Sequence, residues 1–143
     1  MANFYMLLLR RPVSLNAANQ KYKSALKDEA SKVAQGSELL AGRLYARIIW
    51  FHKDPTTQDV DNIVKPILDS LKGVVFEDDS QIGECRVMKI DTSRPYTFVG
   101  EPETKIFEEL SKFLAREEKH VLFVEVGLSP EQIADFGMAQ EDV

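Results

Sequence analysis

Asp59, Val60, Asp61 and Asn62 set two carboxylates and an amide within four residues, and Asp78 and Asp79 add two more carboxylates at a later loop. Carboxylate oxygens are the hard ligands that Mg²⁺ or Mn²⁺ prefers, and magnesium keeps several of its waters, so two or three such groups suffice. A site of this kind activates water and neutralises charge on a phosphodiester. Lys65 follows Asp61 by four residues, one helical turn on the same face, where an ammonium can hold a scissile phosphate or meet the extra charge of the transition state. The plain alternative is equally open at this point. Asp61 with Lys65, and Lys65 with Asp69, also make ordinary surface pairs, and an isolated D-x-D pattern is common.

The elements around these residues decide whether they can converge. From Val60 to Lys72 the apolar residues Ile63, Val64, Ile67, Leu68 and Leu71 recur at helical spacing, which gathers Asp61, Lys65, Asp69 and Lys72 on the opposite side. Pro66 interrupts that pattern, so either Asn62 caps a helix that starts there or the helix kinks near Lys65. Upstream, Asn3 to Leu9 reads as a strand, Ser14 to Ala34 as a helix capped by Ser14 and ended near Gly36, and Arg43 to His52 as a second strand. That strand alternates Leu44, Ala46, Ile48 and Trp50 with a mixed face of Arg43, Tyr45, Arg47, Ile49 and Phe51, which suggests partial cover or a bound partner. Downstream, Gly73 ends the acidic helix, Glu77 to Asp79 form a turn, and Gln81 to Asp91 form a strand. Tyr96 to Val99 is a candidate strand, Glu101 to Lys119 an amphipathic helix and Val121 to Val126 the last strand. Ser129, Pro130 and Gln132 resemble the start of a short helix. The predicted fold class is α/β (α+β): a small mixed sheet with helices packed on it. Its domain spans residues 1–128, with 101–119 as a helix placed before the last strand and 129–143 as a tail or short helix.

Read as one string, Asp59-x-Asp61-Asn62-x-x-Lys65-x-x-x-Asp69-x-Leu71-x-Gly73, followed by Asp78-Asp79-x-Gln81-Ile82, resembles the signature of the RusA family of Holliday-junction resolvases. The resemblance extends upstream to Pro12-x-Ser14-x-Asn16 and downstream to Arg86-Val87-x-Lys89, and so covers about residues 3 to 91, with a match to the last strand besides. It implies a small α/β homodimer that uses Mg²⁺ to make paired nicks across a four-way DNA junction. Carried over by position, Asp59, Asp61 and Asp79 are the metal-binding acids and Lys65 the catalytic lysine; Asp69 and Asp78 match as well. The helix at 101–119 and the tail after Leu128 stand as additions to the family core.

Composition limits the other readings. The 143 residues are 44% hydrophobic, enough for one sizeable core and short for two domains. Cys85 is the single cysteine, and the Phe4 to Leu9 run is too short for a membrane span or signal peptide, so a reducing, cytoplasmic setting is expected. The net charge is −5, yet residues 1–76 carry 11 Lys and Arg against 7 Asp and Glu, while residues 77–143 carry 7 against 16. A basic face is therefore compatible with an acidic protein. Arg10, Arg11, Lys21, Lys23 and Lys27 are its candidates, as phosphate contacts or as solvated helix charges, and Lys89 leans towards DNA. Arg86 can equally pair with a carboxylate. His52 is read as structural, His120 as a surface residue before the last strand, Trp50 as core, and Cys85 as chemically idle. Two further classes stay beside the nuclease. One is a catalytically silent relative that binds junctions or proteins. The other is a hydrolase of small phosphodiesters, although a nucleotide-triphosphate site is disfavoured because no Gly-rich phosphate loop is present.

Overall fold

The computed structural model describes residues 3–13 and 20–137. Its elements are β1 (Phe4–Leu8), α1 (Gln20–Ala34), β2 (Leu44–His52), α2 (Asp61–Leu71), β3 (Ile82–Asp91), α3 (Thr104–Ala115) and β4 (His120–Leu128), with a single 3₁₀ turn at Asp79–Gln81. The sheet is mixed, in the order β1-β4-β2-β3. Strand β4 runs antiparallel to both β1 and β2, and β2 runs parallel to β3. A parallel pair needs a crossover, and α2 supplies it. The result is an α+β fold, as the periodicities suggest. The predicted Ser14 cap and residues 14–19 of the helix expected there lie outside the described residues.

Both faces of the sheet are covered, which explains why β2 is not a clean polar and apolar alternation. One face buries Phe4, Met6, Leu44, Ala46, Ile48, Trp50, Leu122, Val124 and Val126 against Tyr22, Leu26 and Ala30 of α1 and Ile63, Ile67 and Leu71 of α2. The other gathers Phe51, Val121 and Phe123 with Leu110, the buried residue of α3. The mixed face of β2 is thus partly covered by the helix that looks like an addition. What α3 leaves open is a groove of about 600 Å³ whose lining includes Arg47, Arg86, Met88, Tyr96 and Phe98. Within it Glu125 is buried and accepts hydrogen bonds from the Tyr45 hydroxyl and from Arg47 at 3.0 Å, so the charge is paired across neighbouring strands. Burial and that bond raise the Tyr45 phenol well above its ordinary pKa.

Three local expectations change. Tyr96 to Val99 forms no strand. Tyr96 and Phe98 instead meet the Phe51 ring at centroid distances of 6.3 and 6.2 Å, so their still-exposed rings lie against the sheet face, not in a ladder at its edge. Helix α3 is shorter than 101–119. Glu103 caps it by accepting from the Lys105 amide at 3.0 Å, and it ends in a left-handed Glu117, φ 56°, with Glu118 N–H donating to Phe113 O at 3.2 Å. Among the described residues after Leu128 there is no helix. That segment is instead tied by Arg43, which donates to Ser129 Oγ at 3.2 Å and Glu131 O at 3.1 Å.

Candidate functional site

Helix α2 is amphipathic, and its outer face carries the candidate chemistry. It starts at Asp61, after a helical Val60 that offers no side-chain cap, so Asn62 is not the cap. Pro66 lies inside one continuous helix and is buried on the core side. A proline there removes the hydrogen bond to the Asn62 carbonyl. Pro66 is buried, as Ile63 and Ile67 are, which offsets that loss, and Ser70 Oγ bonds back to Pro66 O at 2.8 Å. Asp59 and Asp61 stand at the positive end of the helix, where negative charge is favoured. Both are exposed, and among the described residues neither makes an ion pair.

Asp79 reaches the same face from the turn before β3. That turn is held by Gln81, a motif residue with no role assigned from the sequence. Its Oε1 accepts from the amides of Glu77 and Asp78 at 3.0 and 3.1 Å. Its Nε2 donates to the carbonyls of Leu40 and Gly42 at 3.1 and 3.0 Å. Asp78 forms the capping box with Gln81 and also accepts from the Ser80 amide at 3.4 Å. Ser80 is the main reason its carboxyl lies below the usual range, with Lys72 adding to the effect. The signal for Gln81 was its place three residues after Asp78, the capping-box spacing.

Lys65 joins the two parts. Its ammonium donates to Asp69 Oδ1 at 2.8 Å and to Asp79 Oδ2 at 3.0 Å. These two bonds, Asp69 first, raise the lysine pKa well above its ordinary value, so it stays charged. Of the alternative pairs, Lys65 with Asp69 forms; Lys65 turns to Asp79 in place of Asp61. Lys72, which helical spacing placed on this face without a role, lies 3.8, 3.7 and 3.6 Å from carboxylate oxygens of Asp69, Asp78 and Asp79.

The donors suit a hard divalent cation in kind, since Asp59, Asp61 and Asp79 offer carboxylate oxygens only. They are not assembled in this arrangement: among the described residues no three acidic, histidine or cysteine side chains are grouped as a metal requires. Ammonium groups hold Asp79 where a cation would compete for it.

The remaining candidates divide. Lys89 donates to the Gln58 carbonyl at 2.7 Å, immediately before Asp59, and so anchors the loop that presents it. Arg11 reaches Thr56 Oγ1 in the same loop at 3.5 Å. Arg10, Lys21, Lys23 and Lys27 are exposed, the three lysines on α1, which packs beside α2. Arg86 pairs with Glu84 and Asp135 at 3.1 and 3.5 Å. His52 is buried, with Nδ1 3.0 Å from Asp54 O, as its structural reading expects. His120 differs from its expectation. It begins β4, is only partly exposed, and accepts from the Trp50 indole N–H at 3.2 Å.

No helix among the described residues is long and apolar enough to cross a membrane. A search of curated proteins finds no match. The model of the family "Endodeoxyribonuclease RusA" matches residues 10–100, more than half of the chain, and that span contains β2, α2, β3 and every acid and lysine of the α2 face. The chain belongs to the RusA endodeoxyribonuclease family.

Proposed function

We propose that the protein is a Mg²⁺-dependent endodeoxyribonuclease, able to use Mn²⁺, that resolves four-way DNA junctions as a homodimer by paired phosphodiester cuts in recombination or repair. The observation that carries this reading is Lys65, set one turn beyond Asp61 and bonded to Asp79 at 3.0 Å within the matched domain. Asp59, Asp61 and Asp79 would hold the cation, which when bound offsets phosphodiester charge and makes water more acidic. Asp59 and Asp61 present their oxygens from the helix entrance. The Gln81 clamp orients Asp79. Lys65 presents a permanent positive charge towards the phosphoryl oxygens, whose negative charge grows as the P–O bond breaks. Two cuts related by two-fold symmetry require two copies of such a site, hence the dimer.

The test is cleavage of a synthetic four-way junction by the purified protein and by Asp61→Asn in Mg²⁺. Symmetric nicks from the first, and loss of at least about 100-fold in the second, are expected. Absence of cleavage by both, with junction binding retained in Ca²⁺, would replace this reading with that of a silent binding module. The groove beside Tyr96 and Phe98, outside the catalytic face, is the feature that favours that second reading.

A further inference from the structure

We infer that Lys72 is a positioning residue which, with Lys65, acts as a displaceable internal counter-cation for Asp79, and that Asp69 and Asp78 are where the two ammonium groups go when a divalent cation takes Asp79. This inference rests on the proposed metal site. Its basis is the arrangement of partners around the two lysines. Asp79 is shared: Oδ2 receives Lys65 at 3.0 Å and Oδ1 lies 3.6 Å from Lys72. Each lysine also has a second carboxylate. Lys65 holds Asp69 at 2.8 Å, and Lys72 lies 3.8 Å from Asp69 and 3.7 Å from Asp78. Asp79 can therefore be surrendered without leaving either ammonium unpaired. Without Asp69, Lys65 has Asp79 as its remaining carboxylate partner here and competes for it more strongly.

The backbone supports the same division of labour. Leu71 O accepts from Val74 N–H at 3.1 Å, Lys72 is extended at φ −60° and ψ 134°, and Gly73 has φ 75°. This is a type II turn, which takes Lys72 off the helical path close to Asp78 and Asp79.

The two roles predict opposite changes in metal affinity, measured without DNA or catalysis. Mn²⁺ binding to the full chain is followed by the electron paramagnetic resonance of the free ion, for the wild type, Lys72→Met, Lys72→Arg, Asp69→Asn and Asp79→Asn, with circular dichroism as the check on folding. Lys72→Met is expected to bind Mn²⁺ several-fold more tightly, Lys72→Arg to stay near the wild type, and Asp69→Asn to bind several-fold more weakly. Unchanged or weaker binding in folded Lys72→Met, or unchanged binding in Asp69→Asn, overturns the inference. If the wild type binds no Mn²⁺ that Asp79→Asn abolishes, the metal site of the proposed function fails, and this inference fails with it.

Discussion

Gln81 shows how much a single uncharged side chain can control in a site made of charges. Four hydrogen bonds run from its amide to two chain segments, so it ties the Asp79 turn to the loop around Leu40 and Gly42. Gln81→Ala leaves two amides and two carbonyls to find water, and a loss of about 1–2 kcal/mol in denaturant unfolding is expected. Gln81→Glu is the sharper variant. It keeps the acceptor for Glu77 and Asp78 but turns an oxygen towards two carbonyls, so it should lower stability at least as far as alanine does. Equal stability of Gln81→Glu and wild type would refute the clamp.

A second residue-scale prediction concerns pH. The Trp50 indole donates to His120 Nδ1, which requires that nitrogen to be unprotonated. Burial, first, and the positive charges of Arg11 and Lys119 and of His52 when protonated, lower the His120 pKa against the opposing pull of Asp54. The folded state thus binds fewer protons than the unfolded chain, whose imidazole titrates near 6.5. By linkage the contribution is fully present above that value and is lost as pH falls through it towards the folded pKa. Melting temperature should fall between about pH 7 and pH 5, and His120→Asn, which keeps an acceptor for Trp50 but cannot take the proton, should flatten the fall. Parallel pH profiles for the two proteins would count against this account.

At the scale of elements, α2 and its exit turn carry the design. Gly73 has φ 75°, and a Cβ built there meets nothing within 4 Å. Gly73→Ala therefore tests backbone strain alone, at about 1 kcal/mol or a fall of about 3 °C in melting temperature, with Gly73→Asn closer to wild type. The outer face of α2 was legible in the sequence because side-chain spacing alone decides it: Asp61, Lys65 and Asp69 share a side however the helix begins, whereas Lys72, extended beyond the last helical residue, is brought to the same acids by the exit turn. Pro66 left two readings open, and of these the Asn62 cap is excluded, because the helix starts at Asp61 with Pro66 inside it. A proline rule describes a helix in isolation, whereas the burial of Pro66 on the same helix as buried Ile63 and Ile67 is a tertiary effect. Among the strands, β2 was legible from its alternation and β1 from a short apolar run with aromatic members. The Tyr96 segment failed because exposed aromatics on a sheet face and aromatics in a ladder leave the same pattern. Which carboxylate Lys65 would choose was not legible, since Asp79 arrives from a turn whose geometry depends on Gln81 and on hydrogen bonds to residues 39 and 41 positions away.

For the whole molecule, the acidic surplus lies in the half that the family domain mostly leaves out, and α3 sits on the sheet face opposite α1 and α2. DNA would then meet the α1 and α2 side, where Lys21, Lys23 and Lys27 are exposed on α1 and make no ion pair with the acids of the site. If those lysines bind phosphates, removing any one of them should lower the slope of log affinity against log salt by about 0.9. Lys23→Ala with Lys27→Ala should then reduce the slope for a four-way junction, measured in Ca²⁺, by about 2, and should weaken binding to all sequences alike. Once the junction is saturated with protein in Mg²⁺, the rate of cutting by this double variant should match the wild type, because neither lysine touches the acidic face of α2. Asp61→Asn should do the reverse, holding the salt slope while cleavage disappears. A salt slope unchanged in the double variant would make these lysines solvated helix charges and shift the DNA interface to Arg10 and Arg11. A fall in the saturated rate would instead place α1 inside the catalytic geometry.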